Sequence, residues 1–276
     1  MIMKLFWILL SLSILSNTIY ADVVYDGFRM PESVVQDKDG NIYVSEIGER
    51  DVDKDGKITM IDKSGKRITI VDNLYDPKGL VFFNKKLYVT DRDVVLEVDV
   101  ESKSSDVFAG TMQFPKTPVF LNDIDVDDKG NLFVSDSGDF KSTGQIFIIK
   151  TSGEIETLFE DERNLIKAPN GLLVERNTLY ILDWSGDFFE ADLNKKKYKK
   201  IAQGIKGGDG IAKNKDVFYL SSWTEGKVFK LQDGQITVID KDFEAAADIY
   251  YSSGYLLVPD MKKGKLKLIE IDLERD

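Results

Sequence analysis

Short runs of alternating apolar and polar residues recur along the chain, and long helical periodicity is absent after residue 21. The stretch KAPNGLLVERNTLYILDWSG, residues 167–186, has two apolar segments joined by a polar turn at residues 175–177. Alternation with a period of two, interrupted by polar turns, predicts β-strands arranged as hairpins. We therefore expect an all-β protein.

The hairpin pattern occurs six times. The copies begin at Pro31, Pro77, Leu121, Pro169, Gly208 and Ala247. In most copies a third and a fourth strand follow, and equivalent positions are 38 to 48 residues apart. Four strands in a repeat of about 40 to 50 residues are typical of a β-propeller blade. The sequence therefore predicts a six-bladed β-propeller, with a β-sandwich as the less favoured alternative.

The two ends of the chain predict closure of the ring. The last copy has a third strand, Lys265 to Ile271, and no fourth. The stretch DVVYDGFRMPESV from Asp22 matches ITVIDKDFEAAADI from Ile236 in its apolar pattern. We expect the N-terminal strand to complete the last blade, which hides an otherwise exposed sheet edge. Residues 22–276 would then form one domain.

The first 21 residues have the order of an export signal. Lys4 precedes an apolar core at residues 5–15, and Ala21 is a small residue at a cleavage position. The apolar core is shorter than the roughly 20 residues that span a bilayer, so we expect no membrane span after cleavage. An uncleaved anchor is the alternative. The predicted location is the periplasm, or the exterior if the source has no outer membrane.

Composition excludes several classes of function. The formal net charge of −11 argues against nucleic acid as a partner. The chain contains no cysteine and no histidine, which rules out Ser-His-Asp and Cys-His catalysis. A metal site in this chain must therefore be built from oxygen ligands, which favours calcium or magnesium.

The residue that opens the first strand of each blade should point toward the central channel. These six residues are Glu32, Lys78, Asn122, Asn170, Asp209 and Ala247. Four of them carry oxygen donors, and the two carboxylates bring a charge of −2, which matches one divalent cation. Calcium accepts six to eight carboxylate, amide and water oxygens. We predict one calcium ion on Glu32, Asn122, Asn170 and Asp209, with Mg²⁺ less favoured.

Other residues are predicted to surround this cup. Asp123 and Asp248, each directly after a first-strand position, would orient the ligands or bind a further ion. Lys78 would attract an anionic or carbonyl-bearing substrate or balance these acids, unless its side chain leaves the channel. Trp184 and Trp223 each follow a second strand and would form an apolar rim, or else pack beneath the loops.

At these positions the chain resembles a known family. The segments PESVV, LNDIDVDDKGNLFVSD, PNGLLVERNTLYILD and GDGIA are similar to the senescence-marker-protein/gluconolactonase family and its relatives, the diisopropyl-fluorophosphatases and paraoxonases. The resemblance implies a six-bladed propeller with Glu32, Asn122, Asn170 and Asp209 as calcium ligands. It further implies substrate contact by Asn122 and a role as base or nucleophile for Asp209. Sugar-lactonase members carry arginine where this chain has Phe120, and we expect Phe120 to lie beside the metal site or the substrate.

A second calcium motif is present in DVDKDGKITMID, residues 51–62, which fits the spacing of an EF-hand loop. Strands rather than helices are expected on both sides, so Asp62 should lie far from Asp51. The remaining ligands would be Asp51, Asp53, Asp55 and the Lys57 carbonyl. We predict a peripheral calcium loop, with a solvated acidic hairpin as the alternative.

Together these features predict an exported, calcium-dependent hydrolase of a lactone or ester, with Asp209 as the catalytic residue and a small molecule as substrate. The alternative is a non-catalytic propeller that binds a protein partner on the channel face, with calcium in a structural role. The absence of histidine and the phenylalanine at position 120 favour this alternative.

Overall fold

The computed structural model describes residues 23–50, 52–159 and 165–271. These residues form six four-stranded antiparallel sheets, and the only helical element among them is one 3₁₀ turn at Thr111–Gln113. The predicted six-bladed β-propeller is thereby confirmed. No helix in the described part of the chain is long and apolar enough to cross a membrane. The predicted export signal, residues 1–21, lies outside the described residues.

The first three blades each run from the channel outward in chain order. Blade 1 consists of β2 (Pro31–Gln36), β3 (Ile42–Glu46), β4 (Gly56–Ile61) and β5 (Arg67–Leu74). Blade 2 consists of β6 (Pro77–Phe83), β7 (Lys86–Asp91), β8 (Val94–Asp99) and β9 (Ser104–Ala109). Blade 3 consists of β10 (Leu121–Val126), β11 (Leu132–Asp136), β12 (Gln145–Ile149) and β13 (Ile155–Thr157).

Blades 4 and 5 repeat this order, and blade 6 takes its outermost strand from the N-terminus. Blade 4 consists of β14 (Pro169–Glu175), β15 (Thr178–Asp183), β16 (Asp187–Asp192) and β17 (Lys197–Gln203). Blade 5 consists of β18 (Gly208–Asn214), β19 (Val217–Ser222), β20 (Lys227–Gln232) and β21 (Gln235–Asp240). Blade 6 consists of β22 (Tyr250–Ser252), β23 (Tyr255–Asp260), β24 (Lys265–Glu270) and β1 (Val23–Asp26).

The pairing of β1 with β24 closes the ring as the sequence predicted. Val23 lies opposite Leu268 and Asp26 lies opposite Lys265 in an antiparallel register. Tyr25 packs into the apolar cluster between blades 6 and 1. The last blade therefore combines both ends of the described chain in one sheet.

The hydrophobic core is divided among the gaps between neighbouring blades. Six buried clusters each join residues of two adjacent blades, so every sheet is covered on both faces. The innermost strands also contact each other in cyclic order around the channel. This arrangement explains why inner strands are buried along most of their length, whereas the outermost strands β9 and β21 are mostly exposed.

A bulge at the start of the inner strand occurs in blades 1 to 5. In β14, for example, Pro169 pairs with Asp183 and Leu172 pairs with Ile181, so Asn170 and Gly171 lie outside the regular register. The same shift occurs in β2, β6, β10 and β18. Bulges re-aim side chains, and here each bulge turns its first residue into the channel.

The Asn-Gly pair at the start of β14 follows from this geometry. A Cβ atom on Gly171 would lie 2.2 Å from the carbonyl oxygen of Asp209 on the next inner strand. Only glycine permits so close an approach of two backbones. In blade 6 the equivalent segment is less regular, because Ala246 makes a single bridge to Asp260 and strand β22 begins only at Tyr250.

Candidate metal centre

The four predicted metal ligands line one cavity at the mouth of the channel. The cavity has a volume of about 430 Å³, and Glu32, Asn122, Asn170 and Asp209 are all on its wall. Each of the four residues is at most 4 % exposed. The structure thus brings together four oxygen-bearing residues that come from four different blades.

Acidic residues at the ends of the second strands position the residues that lead into this cup. Asp136 accepts hydrogen bonds from the backbone amides of Val119 and Phe120, at 3.1 and 2.7 Å. Asp183 accepts equivalent bonds from Lys167 and Ala168, both at 2.8 Å. Each carboxylate fixes the corner two residues before a ligand, Asn122 or Asn170. The position of the ligand therefore depends on the second strand of its own blade.

Two oxygen atoms of the cup have no hydrogen-bond partner within the described residues. They are Oε2 of Glu32 and Oδ1 of Asp209, and both are buried. An unpaired buried carboxylate oxygen is costly unless a cation or a proton neutralises it. Two carboxylates and two amides on one wall are a donor set that suits calcium. The residues present therefore fit a divalent cation.

The electrostatics of the cup support the same conclusion. Burial, and after it the charges of Asp209 and Asp248, raise the pKa of Glu32 well above its usual value, although Lys78 acts in the opposite direction. Burial, and then Asp248, likewise raise the pKa of Asp209 well above the usual value. Both carboxylates would ionise more readily if a cation lay between them.

Ser137 fixes the orientation of the Asn122 amide. Its Oγ donates to the carbonyl oxygen of Pro169 at 2.8 Å and accepts from Nδ2 of Asn122 at 3.1 Å. Because the single hydroxyl hydrogen is used by Pro169, the amide group facing Ser137 must be the NH₂. The oxygen of Asn122 is then left for the cavity, where it can act as a ligand.

Lys78 remains in the cavity rather than leaving the channel. Its Nζ donates to the main-chain oxygen of Asp76 at 3.2 Å and lies 4.4 Å from the ring centroid of Phe120. Burial lowers the pKa of Lys78, and the nearby charges of Asp76 and Glu32 partly oppose this shift. The acidic charges that act most strongly on Lys78 are those of Asp76, Glu32 and Asp91, and Asp123 and Asp248, which one of the alternatives paired with it, are not among them.

Asp123 and Asp248 connect the inner strands of neighbouring blades. The carboxylate of Asp123 accepts from the amides of Ile124 and Leu172, at 2.7 and 2.6 Å. The carboxylate of Asp248 accepts from the hydroxyl of Ser33 at 2.6 Å, and its amide donates to the carbonyl oxygen of Glu32 at 3.0 Å. Both acids thus brace the backbone beside the cup, and neither is on the cavity wall.

An aromatic wall covers one side of the cavity and contains the three predicted aromatic residues. Phe120 packs edge to face on Phe140 at 4.8 Å between ring centroids, and Phe140 packs on Trp184 at 5.3 Å. Trp184 and Trp223 are 5.9 Å apart. We call Phe120, Phe140, Trp184 and Trp223 the aromatic wall. Trp184 and Trp223 therefore face the cavity, as expected for an apolar rim, and are not packed beneath the loops.

Sequence reasoning missed several residues of the cavity. Ile47 and Met261 directly follow β3 and β23, the position that Trp184 and Trp223 occupy in their blades, so the same rule would have found them. Phe140 lies in the long loop between β11 and β12, and Arg50 lies in the loop after β3. Neither position belongs to the repeat pattern, so no sequence signal identified these two residues.

The acidic loop is arranged differently from a calcium loop in the part that the structure describes. The carboxylate of Asp53 pairs with Arg92, and that of Asp55 pairs with Arg29 at 2.8 Å. Lys57 is in strand β4, and Asp51 is outside the described residues. No group of three or more acidic side chains in the described ranges is placed to hold a metal. The second calcium ion stays a prediction, and it would have to compete with two arginines.

Comparison with solved structures supports the fold. A gluconolactonase from Xanthomonas campestris is 14 % identical in sequence, with 91 % of this chain and 90 % of that chain covered at a TM-score of 0.73. Regucalcin, a calcium-binding protein from Agrobacterium tumefaciens, is 17 % identical, with 88 % and 90 % covered at a TM-score of 0.70. A chain of the nidogen/laminin complex is 18 % identical, with 77 % and 79 % covered at a TM-score of 0.64.

The gluconolactonase and regucalcin structures are consistent with the resemblance to the senescence-marker-protein/gluconolactonase family that was noted from the sequence. At these identities the likeness concerns the fold. Neither a protein-family model nor a curated protein sequence matches the chain.

Proposed function

We propose that this protein is an exported hydrolase of a lactone or ester that depends on calcium held by Glu32, Asn122, Asn170 and Asp209. One observation carries the proposal. The buried oxygens of Glu32 and Asp209 lack hydrogen-bond partners within the described residues and belong to the cavity that Asn122 and Asn170 also line. The neighbours that are described as a gluconolactonase and as the calcium-binding protein regucalcin support a calcium-dependent lactonase in general, without reference to these residues.

The chain would contribute binding and proton transfer. Calcium in the cup would supply electrostatic stabilisation of the negative charge that develops on the carbonyl oxygen of the substrate. Asp209 would accept a proton from the attacking water at a carboxylate oxygen and return it to the alkoxide that leaves when the acyl C–O bond breaks. Alternatively, its carboxylate would attack the carbonyl carbon and expel the alkoxide, and water would then hydrolyse the resulting anhydride. Asn122 would present its Oδ1 in the orientation set by Ser137, and the aromatic wall would exclude bulk water from one side.

A hydrolase screen tests this function directly. Purified protein loaded with calcium is assayed against lactones, aryl esters and phosphotriesters, with and without a chelator. We expect turnover of at least one lactone or ester that disappears with chelator and returns when calcium is added. If none of these substrates is hydrolysed above background, the hydrolase proposal is rejected.

The second candidate is a non-catalytic binding platform with structural calcium, exported to the same compartment. The composition favours it, because the chain has no histidine and has Phe120 at the position where sugar-lactonase members carry arginine. The neighbour from the nidogen/laminin complex is a propeller from a protein–protein complex. In this case a protein partner would bind the channel face, and a pull-down with calcium-loaded protein would recover it.

A further inference from the structure

We infer that the ligand of the central cavity has an apolar body, an alkyl or aromatic group on the lactone or ester, rather than the hydroxyl-covered ring of a sugar lactone. The inference rests on the proposed function in taking the calcium cup as the reacting end of the cavity. It is drawn from the composition of the remaining wall, which the metal ligands do not determine.

The aromatic wall is a continuous surface contributed by three blades. Phe120 and Phe140 come from blade 3, Trp184 follows β15 of blade 4, and Trp223 follows β19 of blade 5. The rings hold one another in tilted and edge-to-face contacts with centroid distances of 4.8 to 5.9 Å. Such a wall is preorganised for an apolar or aromatic group and offers ring faces and edges rather than hydrogen bonds.

The indole N–H of Trp223 already has a hydrogen-bond acceptor. Nε1 of Trp223 is directed at the sulfur of Met261, at 3.3 Å. A substrate hydroxyl placed here would therefore meet an indole whose hydrogen is engaged by a thioether. Met261, Met30 and Ile47 extend the apolar surface around the rest of the rim.

Few polar side chains are left for a substrate once the four ligands are set aside. Among the described residues of the cavity wall they are Arg50, Asp76 and Lys78, all from blades 1 and 2. Asp76 lies beside Arg92, with 3.5 Å between Oδ2 and Nε, and its main-chain oxygen receives Lys78. One side of the cavity is therefore polar and the other is apolar.

A hydroxylated ring fits this wall poorly. The hydroxyl groups of a sugar lactone that face the aromatic wall would lose water against the rings, where the indole N–H of Trp184 is the one further donor and no side-chain oxygen is present to accept, and buried unpaired hydroxyls weaken binding. An alkyl or aryl group in the same position would instead be stabilised by burial. The volume of about 430 Å³ accommodates a small lactone with such a substituent.

The tryptophans provide a binding signal that does not depend on turnover. The chain has three tryptophans, and Trp7 belongs to the predicted export signal. The other two, Trp184 and Trp223, are both in the aromatic wall. After removal of the signal, intrinsic tryptophan fluorescence therefore reports on this cavity.

The experiment compares two ligands that contain a lactam in place of the lactone, so that hydrolysis does not interfere. Calcium-loaded mature protein is titrated with a pentyl-substituted δ-valerolactam and with glucono-δ-lactam, and binding is followed by fluorescence and calorimetry. We expect the pentyl lactam to change the fluorescence and to bind at least about tenfold more tightly. Equal or tighter binding of the glucono-lactam, or no binding of either ligand, would overturn the inference.

Two matched variants locate the effect. Phe140→Ser removes one ring of the wall and should weaken binding of the pentyl lactam by about tenfold, without a comparable effect on the glucono-lactam. Phe108→Ser is the control, because Phe108 makes a similar edge-to-face contact, with Tyr88 at 5.0 Å, outside the cavity. Unchanged affinity in a folded Phe140→Ser protein would contradict the inference.

Failure of the hydrolase proposal gives a different result. If the protein prefers the pentyl lactam but hydrolyses no lactone or ester, the inferred ligand class stands and the proposed hydrolase function is rejected. If the protein hydrolyses gluconolactone at least as efficiently as a pentyl-substituted lactone, the proposed hydrolase function stands and the inferred ligand class is rejected.

Discussion

The hydroxyl of Ser137 lies 3.1 Å from Nδ2 of Asn122 and thereby determines which end of that amide faces the metal cup. Because the hydroxyl hydrogen is donated to Pro169, a rotated amide would place its oxygen against an oxygen. The bond thus selects one of two otherwise similar side-chain orientations. Ser137 acts on the cup through Asn122 and is not itself on the cavity wall.

Ser137→Ala should therefore weaken calcium binding by about 10- to 100-fold, the usual effect of losing a residue that orients a metal ligand. Ser135→Ala is a matched control two residues earlier, in β11, since Ser135 donates to the main-chain oxygen of Asn170 at 2.7 Å and has no bond to the side-chain amide of a ligand. Both variants should lose about 1 kcal/mol of stability. Calorimetric affinities that fall equally in the two variants would contradict the orienting role.

Removing two of the four ligands should abolish the tight calcium site. Asn170→Ala combined with Asp209→Ala deletes one amide and one carboxylate, which leaves too few protein oxygens for calcium. Elemental analysis and calorimetry should then find no tightly bound calcium. The control is Asp53→Ala with Asp55→Ala, which changes the acidic loop alone and should leave the tight site intact. Unchanged calcium content in the first double variant would show that these residues do not bind the tight calcium ion.

Deletion of β1, Val23–Asp26, should strongly destabilise the protein. The deletion exposes the edge of β24 and removes Tyr25 from the cluster between blades 6 and 1. We expect the melting temperature to fall by roughly 10 °C or more, or the protein to aggregate. Val24→Ser serves as the control, because Val24 is 42 % exposed and its backbone pairing is retained. If the truncated protein has the same melting temperature as the wild type, ring closure by β1 contributes little to stability.

The stability of the protein should depend on the ionisation of Asp125. Its carboxylate accepts from the amides of Val126 and Val174 at 2.8 and 2.6 Å, yet burial raises the pKa of Asp125 to about 7. In the unfolded chain the same carboxyl has a pKa of about 4. Between about pH 4 and pH 7, Asp125 is therefore protonated in the folded state and ionised in the unfolded state. Stability should therefore be lost as the pH rises from about 4 to 7.

Melting curves between pH 5 and 8 at saturating calcium check this prediction. Asp125→Asn cannot ionise, so its melting temperature should vary less with pH than that of the wild type, even though it loses one acceptor at every pH. Saturating calcium keeps the titration of the cup from contributing to the difference. Parallel curves for the two proteins would show that Asp125 is ionised throughout this range.

The blades and the cup were predictable because their signals are local. Strand alternation and turn residues identify each hairpin, and the first position of each inner strand points to the same axis. This is why Glu32, Asn122, Asn170 and Asp209 were found together. The ends of the chain were matched by pattern, and the pairing of Val23 with Leu268 follows from the same alternation.

The remaining contacts depend on residues that meet only in three dimensions. Ser137 has no feature in the sequence that connects it with Asn122, and Phe140 belongs to a loop without a repeat equivalent. The direction of Lys78 depends on the ring of Phe120 and the backbone of Asp76. Asp53 and Asp55 matched a calcium motif, but arginines distant in sequence pair with both of them.

The role of Asp209 separates the enzyme from the binding platform. Asp209→Asn keeps an oxygen that can bind calcium but removes the basic carboxylate, so turnover should fall more than calcium affinity. A general base typically contributes 10²- to 10⁴-fold to the rate, and kcat for lactone or aryl-ester hydrolysis should fall by about this factor. Calorimetry on the same preparation should still detect bound calcium.

Asp76→Asn is the matched control for this measurement. Asp76 lines the same cavity but is not one of the four ligands, so its variant should keep kcat within a few fold of the wild type. If Asp209→Asn hydrolyses the substrate at the wild-type rate with calcium bound, Asp209 is not the base. If both variants lose turnover equally, the loss reflects the charge of the cavity rather than proton transfer, and the base must be sought elsewhere on the wall.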